Sequence, residues 1–311
     1  MMKTAIPTRV IRLLALLAAV CPLALCGGRS SVTQPTSVRV EGTAGINGES
    51  SGPVGVLVGA GDIAVCGSQG SEITAGLLDG IPGTVFAAGD NAYFKGTLTE
   101  FQKCYGPTWG RHLARTRPAP GNHEYESGGA GYFQYFGERA GPAGLGYYTY
   151  TLGSWRIFSL NSEVPSGPGS AQGEWLRGEL SKDRWACTAA YWHRPLFSSG
   201  KIGDNPDMRD VWRTLYEFGV DLVINGHDHL YERFAPQDPE GNPGISRGIR
   251  EFIVGTGGAP ISGVARLHAN SEARGTVLGV AVFTLFEHSY DWRFVAAGDQ
   301  GFEDTGSSEC H

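Results

Sequence analysis

The chain has 311 residues, a hydrophobic fraction of 41% and a charged fraction of 18%, so it can bury a substantial core in one large domain or two small ones. Its formal net charge of −6 argues against a protein that binds nucleic acid through a broad basic surface. The 47 glycines and 17 prolines follow no repeating period, which indicates many turns and loops and argues against a fibrous protein.

Residues 1–26 have the pattern of a signal peptide. Lys3, Arg9 and Arg12 precede an apolar run over residues 13–25, which is shorter than the roughly 20 residues that a membrane span needs. Removal of residues 1–26 would leave 22 basic and 31 acidic residues, a net charge of −9. We therefore predict an exported protein that is secreted, periplasmic or attached to the cell surface.

The end of this segment also resembles a lipoprotein signal. In Leu23-Ala24-Leu25-Cys26, the bulky Leu25 stands where a small residue is expected. Lipid attachment at Cys26 and simple export are therefore alternatives. Residues 27–53 are rich in Gly, Ser and Thr and are predicted to form a flexible leader.

Four cysteines follow the signal segment: Cys66, Cys104, Cys187 and Cys310. An even number in an oxidising compartment favours disulfides, and three pairings are possible. Their spacing does not fit a zinc knuckle. From their layout we prefer Cys66–Cys104, which would join two loops, and Cys187–Cys310, which would hold the end of the chain.

The first elements after the leader predict a parallel sheet. Apolar runs indicate strands at 54–59 and 84–88, with a short helix over 71–79 between them. This order favours parallel pairing with both sheet faces covered. Ligands of such sheets bind beyond the carboxyl ends of the strands, where Asp62 and Asp90 each follow a glycine that allows a sharp turn. Capping a helix is the alternative role for either aspartate.

The rest of the chain continues this alternation of strands and helices. Residues 118–124, Pro-Ala-Pro-Gly-Asn-His-Glu, are expected to form a stiff irregular loop. Apolar runs and helical spacing then predict two helices and seven strands: helices at 170–182 and 205–218, and strands at 146–153, 155–160, 188–192, 220–225, 249–254, 276–286 and 290–296.

Histidines follow two of the predicted strands. His193 directly follows the strand at 188–192, and Gly226-His227-Asp228-His229 directly follows the strand at 220–225. On an extended chain, residues two apart project to the same side. His227 and His229 can therefore approach one metal centre, and Asp228 is expected to point away from it. A His-x-His pair is weak evidence by itself.

The polar residues at the strand ends form an ordered series: Gly61-Asp62, Gly89-Asp90 with Tyr93, Gly121-Asn122-His123-Glu124, His193 and Gly226-His227-Asp228-His229. This series resembles the calcineurin-like metallophosphoesterase superfamily, and within it most of all the purple acid phosphatases. The resemblance covers residues 54–298, the predicted catalytic domain, and leaves 299–311 as a C-terminal tail. It implies a four-layer α/β/β/α sandwich of two mixed β-sheets flanked by helices.

The resemblance also implies a binuclear metal centre. Seven side chains would hold the two ions: Asp90 between them, Asp62, Tyr93 and His229 on one, and Asn122, His193 and His227 on the other. A tyrosine phenolate suits ferric iron, whereas a neutral amide and imidazoles suit a divalent ion. The expected cofactors are Fe(III) and a divalent iron, zinc or manganese ion.

The sequence departs from most of the superfamily at Ala64. Most members carry a histidine two residues after the first aspartate, and purple acid phosphatases usually have glycine there. Absence of this histidine and presence of Tyr93 are complementary, which favours the iron–tyrosinate branch. The alternative is that Tyr93 only packs in a loop and leaves the first site short of a ligand.

The implied reaction is hydrolysis of small-molecule phosphate esters, phosphomonoesters foremost, by a hydroxide that bridges the two metals. His123 is the candidate general acid for the leaving oxygen, and the alternative is that it orients Asp90 or a metal ligand. No nucleic-acid-binding signal is present in the sequence, and a membrane would be reached only through an anchor at Cys26. The oligomeric state is not legible from the sequence.

Two other functions are consistent with the same motifs. A phosphodiesterase would use the same ligands, and the loops at 125–145 and 257–275 would decide its substrate. A cell-surface binding protein would keep the fold without catalysis. The sequence argues against the second alternative, because no expected ligand is lost apart from the Ala64 variation, which Tyr93 offsets.

Overall fold

The computed structural model describes residues 52–244, 246–299 and 301–311. The predicted signal peptide with its Cys26, and all but the last two residues of the predicted leader 27–53, lie outside this range. Among the described residues, no helix combines the length and the apolar character that crossing a membrane requires.

The described residues form fifteen strands: β1 Gly55–Ala60, β2 Ala64–Val65, β3 Thr84–Ala88, β4 Ala92–Tyr93, β5 Thr116–Ala119, β6 Tyr148–Leu152, β7 Trp155–Ser159, β8 Cys187–Tyr191, β9 Leu222–Asn225, β10 Tyr231–Phe234, β11 Arg250–Val254, β12 Ser271–Gly275, β13 Gly279–Leu285, β14 Ser289–Ala296 and β15 Thr305–Glu309. The α-helices are α1 Gly70–Asp79, α2 Leu98–Glu100, α3 Asn122–Tyr125, α4 Ala130–Phe136, α5 Ala171–Lys182 and α6 Arg209–Glu217. Tighter or wider helical turns occupy Phe101–Tyr105, Trp109–Arg115, Gly137–Ala140 and Pro206–Met208.

The strands form two mixed sheets. The first has the order β15-β14-β13-β1-β3-β5, in which β1, β3 and β5 are parallel and β13 to β15 are antiparallel. The second has the order β12-β10-β11-β9-β8-β7-β6, in which β7, β8, β9 and β11 are parallel. β2 and β4 form a short separate pair next to the first sheet's polar loops. The parallel strands of each sheet therefore direct their carboxyl ends to one edge.

The central strands are apolar on both faces because each face is covered. In β9, Leu222 and Ile224 join the core shared with the first sheet, whereas Val223 joins the core beneath α5 and α6. Successive strand residues point to opposite faces, so a strand buried on both sides needs an unbroken apolar run. Between the sheets, the rings of Phe252 and Phe283 lie 5.0 Å apart.

Helices complete the outer layers. α5 and α6 cover the second sheet, with Trp212 and Leu215 of α6 buried. On the first sheet, α1 lies against β13 and the turn Trp109–Arg115 lies against β3. The indole nitrogen of Trp109 donates to Thr74 Oγ1 at 2.9 Å, which joins these two segments. The predicted four-layer α/β/β/α sandwich is confirmed.

Several segments differ from the sequence prediction, and β10, β12 and α4 are elements that it did not contain. The stiff loop expected at 118–124 is wrong, because Thr116–Ala119 forms β5 and Asn122–Tyr125 forms α3. Pro118 is compatible with a strand here because β5 is at the edge of the first sheet, where one side of the strand has no partner that needs a backbone N–H group. Within the predicted tail, Thr305–Glu309 forms β15. Its polar sequence Thr-Gly-Ser-Ser-Glu carries no apolar signal for a strand.

The two preferred disulfide pairings are confirmed, Cys66–Cys104 and Cys187–Cys310. Cys187 begins β8 in the second sheet, and Cys310 follows β15 in the first sheet. The second disulfide therefore joins the two sheets. Beside it, the backbone N–H of His311 donates to Asp221 Oδ1 at 2.8 Å, which fixes the last residue against the second sheet.

Replacement of both Cys187 and Cys310 by alanine is expected to lower the free energy of unfolding by about 2–5 kcal/mol, because the unfolded chain would gain the freedom of a long open loop. The cysteines are 123 residues apart. Alanine avoids burying a new hydroxyl group. Chemical denaturation of the oxidised proteins measures the change, and an unaltered midpoint at the wild-type slope would contradict this role.

Candidate metal centre

The ends of five parallel strands bring the candidate residues together at one edge of the sandwich. Asp62, Asp90 and Asn122 follow strands β1, β3 and β5 of the first sheet, and His193 and His227 follow strands β8 and β9 of the second. The two sheets meet directly here, because the backbone N–H of His227 donates to Asp62 Oδ2 at 2.7 Å.

The first group of side chains contains Asp62, Tyr93 and His229. The hydroxyl of Tyr93 lies 2.8 Å from Asp62 Oδ1 and 3.2 Å from His229 Nε2. His229 Nε2 is itself 3.2 Å from Asp62 Oδ1. Asp62 and Tyr93 are buried, and His229 is partly exposed. Three donor atoms of different chemistry thus converge on one small volume.

The second group contains His193 and His227, and Asn122 begins the helix after β5 at the same edge of the sandwich. His193 Nε2 lies 3.1 Å from His227 Nδ1. The side-chain oxygen of Asn122 is buried and makes no hydrogen bond to any described residue. One donor atom each from Asp90, His193 and His227 lies within 4.8 Å of the others, so these three could hold an ion.

Asp90 connects the two groups. Its Oδ2 lies 3.3 Å from the Tyr93 hydroxyl and 3.1 Å from His193 Nε2. Its Oδ1 accepts a hydrogen bond of 2.8 Å from the backbone N–H of His123. A single carboxylate oxygen therefore faces both donor groups, and the carboxylate is fixed by a contact outside them.

Backbone carbonyl oxygens determine the tautomer and the orientation of two histidine rings in the centre. His193 Nδ1 lies 2.9 Å from the Ala88 carbonyl oxygen, and His229 Nδ1 lies 2.9 Å from that of Pro260. A carbonyl oxygen can only accept a hydrogen bond, so each Nδ1 carries a hydrogen. In the neutral ring, Nε2 then presents its lone pair to the cluster, an orientation common among metal-binding histidines.

The electrostatic field of the site favours cations between the carboxylates. Burial by itself would lower the pKa of His193, but Asp90 and Asp62 raise it to about 10. Burial would likewise lower the pKa of His229, and Asp62 raises it to about 9. His227 differs, because burial and the charge of His193 lower its pKa to about 3. The aspartates that attract protons to two imidazoles would attract a metal cation for the same reason.

The acidic groups respond to the same field. The pKa of Asp62 is lowered although burial opposes this, because His229 and His193 are close. The pKa of Asp90 is lowered in the same way by His193. Burial, followed by the charges of Asp62 and Asp90, raises the pKa of Tyr93 well above its usual value. A phenolate at Tyr93 therefore needs a cation beside it.

The backbone is strained at this centre. Asp62, Asp90 and His227 have φ angles of 60°, 48° and 74°, and they are the non-glycine residues with positive φ in the described part of the chain. This region of φ is costly for side-chain-bearing residues and concentrates at functional sites. The expectation that glycine makes the turn before each aspartate is wrong for Gly61, whose φ is not positive, because Asp62 itself adopts the left-handed conformation.

Close backbone approach explains one of the glycines in the motifs. A Cβ atom added at Gly226 would lie 2.6 Å from Asp62 Oδ2, closer than non-bonded atoms can approach. Gly226 thus lets the end of β9 in the second sheet touch the aspartate that follows β1 in the first sheet.

The His-Asp-His segment is not extended, in contrast to the sequence prediction. β9 ends at Asn225, and β10 begins at Tyr231. The left-handed φ of His227 turns its ring toward His193, while the ring of His229 faces Asp62. The two histidines therefore contact different donor groups.

Asp228 points away from the cluster, as predicted. Its Oδ1 accepts from the backbone N–H of Ile202 at 2.9 Å, and its Oδ2 accepts from Ser198 Oγ at 2.5 Å and from the N–H of Gly203 at 3.0 Å. Asp228 therefore fixes the loop that follows β8 against the histidine segment.

His123 lies at the solvent-facing rim of the centre. Its Nδ1 is 2.5 Å from the Phe94 carbonyl oxygen, and its Nε2 is 3.8 Å from Asp90 Oδ2. The side chain is 28% exposed, against 3% for Asp90. This position allows contact with a bound substrate, and the backbone N–H of the same residue also orients Asp90.

Sequence reasoning missed the role of Glu124. This buried carboxylate accepts hydrogen bonds from the backbone N–H groups of Asn91, Ala92 and Gly121 at 2.9, 3.1 and 2.8 Å. Burial and the charge of Asp90 raise its pKa to about 8. It joins the segments that carry Asp90 and Asn122. The available signal was its place three residues after Gly121, at the start of a helix.

This fold and donor set define the chain as an α/β protein of the metallophosphoesterase class. The family model for calcineurin-like phosphoesterases matches residues 60–231. The chain belongs to this family, which confirms both the predicted family and the predicted class of enzyme.

Named relatives and a solved structure agree with this assignment. Purple acid phosphatase 15 of Arabidopsis thaliana is 26% identical over 216 residues, which cover 56% of this chain and 41% of that protein. Human acid phosphatase type 7 is 30% identical over 146 residues, which cover 38% of this chain and 32% of that protein. The chain thus spans less than half the length of these curated relatives. The purple acid phosphatase PPD1 from yellow lupin seeds shares the fold, with a TM-score of 0.69 and 21% identity over 84% of this chain and 54% of that one.

Glu124→Ala is expected to lower the free energy of unfolding by about 3–5 kcal/mol, because it leaves several buried N–H donors without an acceptor. Glu126→Ala is the matched control, since Glu126 is exposed and lies two residues further along the same turn. It should change stability by about 0.5 kcal/mol or less. Equal denaturation midpoints for the two variants would contradict the structural role of Glu124.

Proposed function

We propose that this chain is an exported hydrolase with two metal ions that cleaves small-molecule phosphate esters, phosphomonoesters foremost. The observation that supports this most strongly is the position of Asp90, whose Oδ2 lies within 3.3 Å of a donor atom in each of two groups. A carboxylate between two donor sets is the arrangement that two adjacent cations need to offset their mutual repulsion.

The residues present fit two metal ions. Asn122 Oδ1 is buried and without a hydrogen-bond partner among the described residues, and a buried amide oxygen is rarely left in this condition. A cation beside it would satisfy this oxygen. We assign Asp62, Tyr93 and His229 to one ion, Asn122, His193 and His227 to the other, and Asp90 to both.

The donor chemistry favours iron in the first position. An ionised Tyr93 with Asp62 makes a hard anionic site suited to Fe(III), and the second group, with its neutral amide and imidazoles, suits divalent iron, zinc or manganese. With both aspartates and the phenolate, these ions would leave a net charge of about +2. That charge would attract a phosphate ester into an otherwise acidic protein.

Two metal ions at this centre would orient the ester, supply a hydroxide from water near neutral pH and offset the charge that develops during in-line displacement. The protein groups hold this arrangement. Asp90 is fixed by the His123 backbone N–H, and the carbonyl oxygens of Ala88 and Pro260 fix two imidazoles.

His123 is assigned as the general acid. Its Nδ1–H donates to the Phe94 carbonyl oxygen, so a proton on Nε2 is the one available to a leaving oxygen. Nε2 lies near Asp90 Oδ2 at the exposed rim, where the leaving group of a bound ester would depart. Proton donation there would stabilise the leaving alkoxide.

Export is supported by the two disulfides, since such bonds persist in oxidising compartments. We assign residues 1–26 as the signal peptide, with lipid attachment at Cys26 as its alternative outcome, and residues 54–298 as the catalytic domain. Mass spectrometry of the mature protein distinguishes a lipidated cysteine from a free N-terminus.

The wild-type protein is expected to bind two metal ions per chain, and His227→Ala and His229→Ala should each retain about one, because they belong to different donor groups. Asp90→Ala should lose both ions and reduce turnover of an aryl phosphomonoester to the background rate. Elemental analysis and a parallel assay with the matching phosphodiester measure these effects. His288→Ala is the control, because this side chain is 70% exposed and outside the centre.

Substantial turnover by Asp90→Ala would contradict the proposed function. Faster hydrolysis of the diester than of the monoester by the wild type would favour the phosphodiesterase alternative. A correctly folded wild type without metal and without turnover would favour the non-catalytic binding protein.

Tyr93→Phe is expected to abolish a visible absorption band of the purified protein, because the band would arise from charge transfer between the phenolate and ferric iron. The phenyl ring keeps the packing and removes only the hydroxyl that lies 2.8 Å from Asp62. Absorption spectroscopy with iron analysis tests this assignment. A colourless wild type that is active with zinc or manganese alone would refute iron–tyrosinate and leave the hydrolase proposal intact.

A further inference from the structure

Arg194 lies beside the metal centre and has no role in the assignments above. It follows His193 directly, in the loop after β8. The neighbouring strand β7 runs parallel to β8, so the loop after β7, which carries Ser162 and Glu163, emerges at the same edge. The two loops meet at the outer side of the cluster.

The guanidinium of Arg194 is held in place by this second loop. Its Nε lies 2.8 Å from Glu163 Oε1, and the Glu163 side chain is only 10% exposed. Ser162 Oγ donates to the same carboxylate oxygen at 2.9 Å and accepts from the Arg194 backbone N–H at 3.3 Å. A long flexible side chain is thereby restricted before any ligand binds, which reduces the entropy lost on binding.

One end of the guanidinium faces the metal centre. Arg194 Nη1 lies 3.1 Å from His227 Nε2, on the opposite side of the ring from the Nδ1 atom that faces His193. Nη2 makes no hydrogen bond to any residue that the structure describes. The side chain is 30% exposed, so solvent and small ligands can reach it.

We propose that Arg194 is a phosphate-binding residue, which donates from its two Nη groups to a non-bridging oxygen of a phosphomonoester dianion at the centre. This inference rests on the proposed function and specifies which substrate charge the site prefers. A guanidinium offers planar, paired N–H donors that match phosphate oxygens.

The hydrogen bond between Arg194 and His227 depends on which ring nitrogen of His227 carries the hydrogen. A guanidinium can only donate, so Nε2 of His227 is the acceptor. If Nδ1 of His227 ligates a metal, the neutral ring must carry its hydrogen on Nε2, and Arg194 loses that acceptor. Glu163 still holds Nε. Nη1 then becomes available next to the centre, so metal loading and phosphate binding by Arg194 are expected to be linked.

The charge of the substrate decides how much Arg194 contributes. A monoester dianion keeps an unesterified, doubly charged phosphoryl end, whereas a diester carries one negative charge and a second bulky substituent. A fixed cationic donor at the rim should therefore favour monoesters over diesters. A residue that only orients His227 would affect both substrates to the same extent.

The test compares the metal-loaded variants Arg194→Ala, Arg194→Lys and Glu163→Gln with the wild type. Isothermal titration with inorganic phosphate gives Kd, steady-state assays give kcat/KM for an aryl phosphomonoester and the matching diester, and elemental analysis gives the metal content. Arg177→Ala is the matched control, since Arg177 also pairs with a glutamate, Glu217, at 2.8 Å but is 46% exposed on a helix.

For Arg194→Ala we expect two ions per chain, phosphate binding weakened by about 10- to 100-fold through loss of charge-assisted hydrogen bonds, and a similar fall in kcat/KM for the monoester. The kcat/KM for the diester should fall less, by no more than about the cube root of the factor lost for the monoester. Arg194→Lys should recover part of the loss, and Glu163→Gln should show a smaller one. Metal-free wild type should bind phosphate more weakly than loaded protein.

An unchanged phosphate Kd in Arg194→Ala would overturn the inference, and so would equal losses for monoester and diester. The inference would also be overturned if Arg194→Ala lost metal ions but the chains that kept both ions bound phosphate with the wild-type Kd. These outcomes leave the proposed function standing, because the wild type would still hydrolyse esters. A loaded wild type that neither binds phosphate nor hydrolyses any ester would overturn both.

Discussion

The carboxylate of Asp90 is the point on which the geometry of the centre depends. One of its oxygens faces the tyrosine–histidine–aspartate group and the histidine pair at the same time, and the other accepts the backbone N–H of His123. To reach this position the residue adopts a left-handed backbone conformation, with φ of 48°. The cost of that conformation must be offset by its surroundings, chiefly by Glu124, which binds the two N–H groups that follow Asp90.

The two sheets supply complementary halves of this centre. Loops after strands of the first sheet contribute two carboxylates and an amide, the short β2–β4 pair beside it contributes the phenol of Tyr93, and loops after strands of the second sheet contribute the imidazoles. The contact of Asp62 with the His227 backbone joins the halves at the open edge, and the Cys187–Cys310 disulfide joins the sheets as well. Asp62 and His227, which meet at the centre, are 165 residues apart in sequence, so the geometry of the centre depends on how the two sheets pack together.

The sequence was sufficient to locate the central strands along the chain and the polar residues that follow them. The run at 84–88 coincides with β3, since a strand buried on both faces must be apolar throughout. The polar strand β15 and the proline-containing edge strand β5 could not be found in this way, because pairing with a neighbour determines them and apolar burial does not. Edge strands tolerate residues, such as proline, that central strands exclude.

The finer geometry of the site was also beyond sequence reasoning. Strict alternation along a strand predicted that His227 and His229 would share one side, but the positive φ of His227 sends the two rings to different groups. The roles of Glu124 and Arg194 depend on contacts with loops 31 to 33 residues away, which no local pattern reveals. In contrast, chemical identity at the strand ends was informative, because few side chains can serve as metal ligands.

Anomalous X-ray diffraction from crystals of the metal-loaded protein tests the central claim most directly. Data collected at the absorption edges of iron, zinc and manganese should show two peaks about 3.5–4 Å apart, with Asp90 between them, Tyr93 next to the first and Asn122 next to the second. A single peak, or two peaks that do not share Asp90, would contradict this account.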